Sequence, residues 1–181
     1  TTTAYLRARA IARVNLILNT FARIIGWGDE ASMIISSVDA EKEAVLSVAK
    51  LMLTSARTAP KTGGSDSIVT AILCGEEKEN LWKTIEKIGK ENEWDWIFKD
   101  ARSVKEADAV VLIGVTSSDE YKLIDLGIAA GSAVKTASEM NVDNRIMLSV
   151  GMAARELGIL NAEEVIGIPL SIKGKNIFFD R

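Results

Sequence analysis

Ala109-Val110-Val111-Leu112-Ile113-Gly114-Val115 carries no charged or polar side chain and is rich in β-branched residues. A run so short and apolar, bounded by polar residues, predicts a buried strand. Working upstream, Ile68-Val69-Thr70-Ala71-Ile72-Leu73, with Gly75 just beyond it, reads the same way. Downstream, Glu164-Val165-Ile166-Gly167-Ile168-Pro169-Leu170 predicts a last strand. Trp94 to Phe98 alternates aromatic and polar residues and predicts a short additional one.

Between these runs the period lengthens to that of helices. Asp39 is a suitable N-cap for a helix through Thr58, with Glu41 and Glu43 in its first turn and Ala44, Val48, Leu51 and Met52 as its inner stripe. Pro60 and Gly63-Gly64 end it. Residues 76–92 form an amphipathic helix with Leu81, Ile85 and Ile88 inward. Ser117 or Ser118 can cap a helix over 119–140, and Asp143 another over 143–157 that Gly158 closes. Residues 171–181 remain as a basic-aromatic tail. The Gly127 and Gly131 pair lies in a helical pattern with no strand before it, which predicts close helix packing rather than a nucleotide loop. Cys74 is expected to be a buried small apolar residue, and Asp125 a satisfied polar contact within an apolar helix.

Segment 4–25 has its own pattern. Ala10, Val14, Ile17, Phe21 and Ile24 recur every three or four residues, and Ile11, Leu18 and Ile25 widen the stripe. An apolar arc this broad needs more than one neighbour, so self-association through 4–25 is expected.

Composition excludes whole classes of chemistry. Cys74 is the single cysteine and there is no histidine, so thiolate zinc sites, cysteine-held clusters and His-based triads lack their ligands or bases; no metal site is expected. A net charge of -3 speaks against a nucleic-acid surface. Arg13, Asn15, Asn19 and Arg23 interrupt the best membrane-span candidate, so no membrane partner is expected. One unpaired thiol suits a reducing compartment, and the expected location is the cytoplasm.

Four stretches carry a resemblance. They are Ser55-Ala56-Arg57-Thr58-Ala59-Pro60-Lys61; Leu123-Ile124-Asp125-Leu126-Gly127-Ile128-Ala129-Ala130-Gly131-Ser132-Ala133-Val134; Asn141-Val142-Asp143-Asn144-Arg145-Ile146-Met147; and Ile166-Gly167-Ile168-Pro169-Leu170 with Gly174-Lys175-Asn176-Ile177-Phe178-Phe179-Asp180-Arg181. Together they resemble the uncharacterised ferredoxin-domain-containing family, related to the nitroreductase-like proteins, over essentially all of 33–181. The resemblance implies an α+β fold, a nitroreductase-like mixed sheet surrounded by helices, with residues 1–32 as an added N-terminal helical extension. It also implies FMN as the candidate cofactor, held at a homodimer interface. Arg57 and Lys61 would then lie near the flavin, and Lys173 and Lys175 would meet its phosphate through charge-assisted hydrogen bonds. The same residues also suit plainer roles, Arg57 and Lys61 at the negative end of a helix and the tail lysines in solvent.

Two departures qualify that resemblance. Ser36-Ser37-Val38 stands where nitroreductases place arginines that help hold phosphate. The family's Cys-rich segment is missing, because Val115 reaches Leu123 through only Thr116-Ser117-Ser118-Asp119-Glu120-Tyr121-Lys122. The absent cysteines, the added apolar helix and a family-like sequence beginning at Met33 favour a homo-oligomeric structural or assembly protein built on this scaffold, an engineered origin included. The alternative is an FMN-dependent oxidoreductase of unknown substrate, whose hydride chemistry the flavin would carry.

Overall fold

A computed structural model describes residues 34–179; the helix expected over 4–25 lies outside them. Ten elements follow in order: helix α1 (Ser37–Thr58), a 3-10 turn (Thr62–Gly64), β1 (Ile68–Leu73), α2 (Gly75–Asn92), α3 (Ile97–Glu106), β2 (Ala109–Val115), α4 (Glu120–Glu139), β3 (Asp143–Asn144), α5 (Leu148–Glu156) and β4 (Glu164–Ser171). The strands form one sheet in the order β1-β2-β4-β3. The α+β class stands. Where a mixed sheet was expected, every strand pairing among the described residues is antiparallel.

Alternation along the central strands explains why they read as continuous apolar runs. Ala109, Val111, Ile113 and Val115 enter one core with α1 and α4, whereas Val110 and Leu112 enter a second core with α2, α3 and α5. With both faces covered by helices, neither set of side chains can be polar. Ile166, Ile168 and Leu170 of β4 join the first core and Val165 the second. Pro169 is tolerated inside the sheet because its missing N–H faces β3, between the Asn144 and Leu170 pairing and the Met147 and Gly167 bridge.

Helix α5 presses directly on β4. A Cβ on Gly151 would overlap the Val165 carbonyl, and one on Gly167 would overlap the Val150 side chain. Glycine is required at both places by close approach.

Several local expectations are corrected. Residues 94–98 are not a strand: 94–96 form a turn and 97–98 open α3, with Trp96 at its N-cap and the Trp94 and Trp96 rings stacked 5.8 Å apart. The buried stripe of α1 is Val45, Val48, Ala49, Met52 and Ala56, while Ala44 and Leu51 are exposed. Neither Ser117 nor Ser118 caps α4; Asp119 does, its carboxylate accepting from the Tyr121 and Lys122 amides. Asp143 lies in β3 rather than capping a helix, and α5 starts only at Leu148. Cys74 is exposed, because it leaves the edge strand of the sheet to become the N-cap of α2. Desolvation still raises its thiol pKa, so it is not an activated nucleophile. Gly127 and Gly131 have open space where a Cβ would stand, so they mediate no close helix packing among the described residues. No helix among the described residues is long and apolar enough to cross a membrane.

Candidate functional site

Beyond β4 the chain does not run into solvent. The Ile172 N–H donates to Asp108 Oδ2 at 3.1 Å, and the Phe178 N–H donates to Asn176 Oδ1 at 2.9 Å, which closes a local turn. Phe178 is fully buried among side chains of α2, α3 and α5. Its carbonyl accepts from Arg145 Nη1 at 3.0 Å, and the same guanidinium lies 5.4 Å from the centre of the next ring, Phe179. The tail is therefore anchored by one buried ring and presents another, 47% exposed, on its surface.

Phe179 and Asn176 separate two grooves. One, of about 600 Å³, runs between α3 and the tail and is lined by Phe98, Lys99, Arg102 and Lys175. The other, of about 390 Å³, is edged by Ser138, Asn141, Asp143 and Asn144. Arg102 is paired with Glu106 at 3.1 Å, whereas Lys175 has no ion-pair partner among the described residues. An exposed ring, side-chain amides and an unpaired ammonium together suit a planar ligand that carries an anionic group.

The other expected site residues are otherwise engaged. Arg57 pairs with Asp66 at 2.5 Å on the surface, and its guanidinium holds the Asp66 carboxyl below the usual carboxylate range. Lys61 Nζ donates to the carbonyls of Ala56, at 3.1 Å, and Arg57, closing the last turn of α1. Lys173 Nζ donates to the Glu106 carbonyl and reaches Asp108 Oδ1 at 3.3 Å.

Sheet register shows which of the four come together. Asp66 precedes Ile68, which pairs with Val115, itself opposite Glu164; Lys173 follows Ser171, beyond Leu170, which pairs with Ala109. Arg57 and Lys61 thus stand at one end of the sheet and Lys173 and Lys175 beyond the other, a strand length of roughly 20 Å apart. One chain does not bring both pairs to a single small molecule. Sequence reasoning did not single out Asn144, Asn176 and Phe179, which line the grooves, or Arg145, which packs on Phe179; the signal was the phenylalanine pair after Lys175, since one ring anchors while the other is displayed.

The short connection from Val115 to Leu123 is held by side-chain bonds. Ser117 Oγ donates to Asp119 Oδ2 at 2.9 Å, and Ser118 donates its N–H and hydroxyl to Glu163 Oε2 at 2.9 and 2.8 Å.

Residues 117–181 match the family described as "Uncharacterized protein containing a ferredoxin domain (DUF2148)". An uncharacterized protein of Archaeoglobus fulgidus is 36% identical over 181 residues, a match that takes in 82% of this chain and 98% of the relative. The chain belongs to this ferredoxin-domain family. The aligned length exceeds this chain's share of it, so the Archaeoglobus member has residues inside the matched region that this one lacks. Solved structures extend the likeness to the fold alone. A nitroreductase with bound FMN from Bacteroides fragilis superposes with a TM-score of 0.59 at 13% identity, covering 78% of this chain and 80% of that one. An FMN-dependent nitroreductase from Mycobacterium smegmatis in complex with NADPH gives 0.59 at 11% identity, covering 71% and 78%. This member of the family therefore has a nitroreductase-like fold and, with Cys74 as its single cysteine, no cysteine cluster.

Proposed function

We propose that this chain is an FMN-dependent oxidoreductase that works as a homo-oligomer. The observation that carries the reading is the pair of grooves around Asn176 and Phe179, one of them lined by Lys175, which is unpaired among the described residues, on a fold shared with FMN-containing nitroreductases. The residues present fit such a ligand. Lys175 would meet the phosphate, Phe179 would support a ring on the face that Arg145 leaves open, and Asn144 and Asn176 would hydrogen-bond heteroatoms at the ring edge. FMN, when bound, supplies hydride transfer; the chain supplies position and charge. Arg57 and Lys61 would reach a flavin only from a second subunit, because the sheet holds them at the opposite end of their own chain.

Flavin absorbance after purification, followed by FMN titration of the stripped protein, tests this. Lys175→Ala and Phe179→Ala should each weaken FMN binding by about tenfold or more, which is the order of one charge-assisted bond or one aromatic contact. Failure of the wild-type protein to bind FMN at all would refute the reading.

A second reading, a structural or assembly protein without bound flavin, is favoured by a different observation. Leu123, Ile124 and Ile128 of α4 are 43%, 56% and 40% exposed, beside the bare Gly127 and Gly131. Together with the apolar stripe of 4–25, this suits a chain built to associate. Replacing Ile17 and Phe21 by Asp should then lower the oligomer number seen by light scattering and leave circular dichroism unchanged. A colourless protein that assembles normally would favour this second reading over the first.

A further inference from the structure

Among the described residues the outer edge of β1 is open, and its backbone alternation can be read residue by residue. The Thr116 N–H donates to the Ser67 carbonyl at 3.2 Å, and Ile68 is registered against Val115. In an antiparallel pair this makes Ser67, Val69, Ala71 and Leu73 the residues bonded to β2, and turns the N–H and C=O groups of Ile68, Thr70 and Ile72 outward. The Ile68 N–H agrees, since it leaves the ladder to reach Asp66 Oδ1 at 3.0 Å. β1 ends the sheet order, and the outward groups of Thr70 and Ile72 have no partner among the described residues. Nothing in Ile68-Val69-Thr70-Ala71-Ile72-Leu73 blunts this edge, for it carries no charge and no proline.

We propose that β1 pairs antiparallel with β1 of a second copy of this chain, across a two-fold axis at Thr70, and so joins two four-stranded sheets into one. The outward set is its own complement: Ile68, Thr70 and Ile72 are symmetric about Thr70. Thr70 then exchanges both backbone bonds with Thr70 of the partner subunit, and the Ile72 N–H donates to the carbonyl of Ile68 of the partner subunit. A slip by one residue would oppose this set to residues already bonded to β2, and a slip by two would leave Ile68 or Ile72 without an outward residue of the set opposite it, so the register centred on Thr70 engages all three. The uncharged strand lets two copies approach without like-charge repulsion. This surface needs no flavin, and the inference stands apart from the oxidoreductase reading.

Residue-resolved amide hydrogen exchange by NMR on the full chain tests it. Thr70 and Ile72 amides are expected to exchange at least about tenfold more slowly in concentrated than in dilute protein, while Val69 and Ala71 stay protected in both. Thr70→Pro removes one outward donor and no bond to β2, so it should return the Ile72 amide to fast exchange with circular dichroism unchanged. Thr70→Lys keeps the N–H but faces two ammonium groups across the axis; it should abolish the protection in a salt-dependent way, and it decides the matter should the proline variant fail to fold. Fast exchange of Thr70 and Ile72 in concentrated wild-type protein would overturn the proposal. So would protection independent of concentration, because a segment of the same chain would then cover the edge.

Discussion

The Thr62 N–H donates to Asp125 Oδ1 at 2.8 Å, tying the loop before β1 to a fully buried carboxylate on α4. The Thr62 hydroxyl adds a bond at 3.0 Å, and Lys122 Nζ reaches Asp125 Oδ2 at 3.4 Å while also donating to the Ser65 carbonyl at 2.9 Å. The Thr62 amide foremost, and then its hydroxyl and Lys122, hold the Asp125 carboxyl below its ordinary range against the opposing effect of burial. A carboxylate depressed in the folded state contributes stability above its unfolded pKa, near ~3.9, and loses that contribution as pH falls through the folded value. Asp125→Asn should therefore be clearly less stable than wild type at neutral pH, with the gap narrowing in acid. Urea denaturation at about pH 7 and at about pH 3, on either side of the ordinary carboxylate range, measures both gaps; equal gaps would show that the charge is immaterial.

Two glycines should respond to alanine in opposite directions. At Gly151 the added Cβ meets the backbone of Val165, which cannot swing aside, so Gly151→Ala should cost about 3 kcal/mol or more. At Gly131, in the middle of α4 with no described residue near its Cβ position, the same substitution should stabilise by roughly 0.5–1 kcal/mol through helix propensity. Shifts of urea midpoint in opposite senses would confirm the contrast.

Phe178 anchors the tail that borders both grooves. Phe178→Ala should cost about 3–5 kcal/mol, the range for truncating a buried aromatic ring. It should also weaken FMN binding although Phe178 lines neither groove. A variant that loses stability and retains full FMN affinity would show that the tail's placement is irrelevant to the site.

Purified protein should contain no stoichiometric iron or zinc, because one exposed thiol and no imidazole leave soft and borderline metals without a ligand set. Elemental analysis checks this directly.

How much of this was legible in the sequence follows from what each pattern encodes. The strands at 68–73, 109–115 and 164–171 announce themselves because a strand covered on both faces must be apolar throughout. Asp125, the one acid between Glu120 and Glu139 in an apolar stretch of helix, was readable as a satisfied contact, although its partner Thr62 was not. The segment from Trp94 to Phe98 misled because one aromatic-polar alternation over so few residues is also made by a turn whose rings stack on each other. Asp143 misled because aspartate before a helix looks like a cap until the strand it pairs with is known.

By itself, then, the sequence determined the three long strands, most of the helices, the family and the presence of one cysteine and no histidine, since all of these reside in residue identity and short-range periodicity. Tertiary structure alone decided that Cys74 lies outside the core, that Arg57, Lys61 and Lys173 are bound up with their own chain, and that Lys175 is left beside a groove. The reason is physical. Burial of a face repeats with the local helical or strand period, whereas the partner of a charge and the open edge of a sheet depend on segments distant in sequence that only the folded chain brings together.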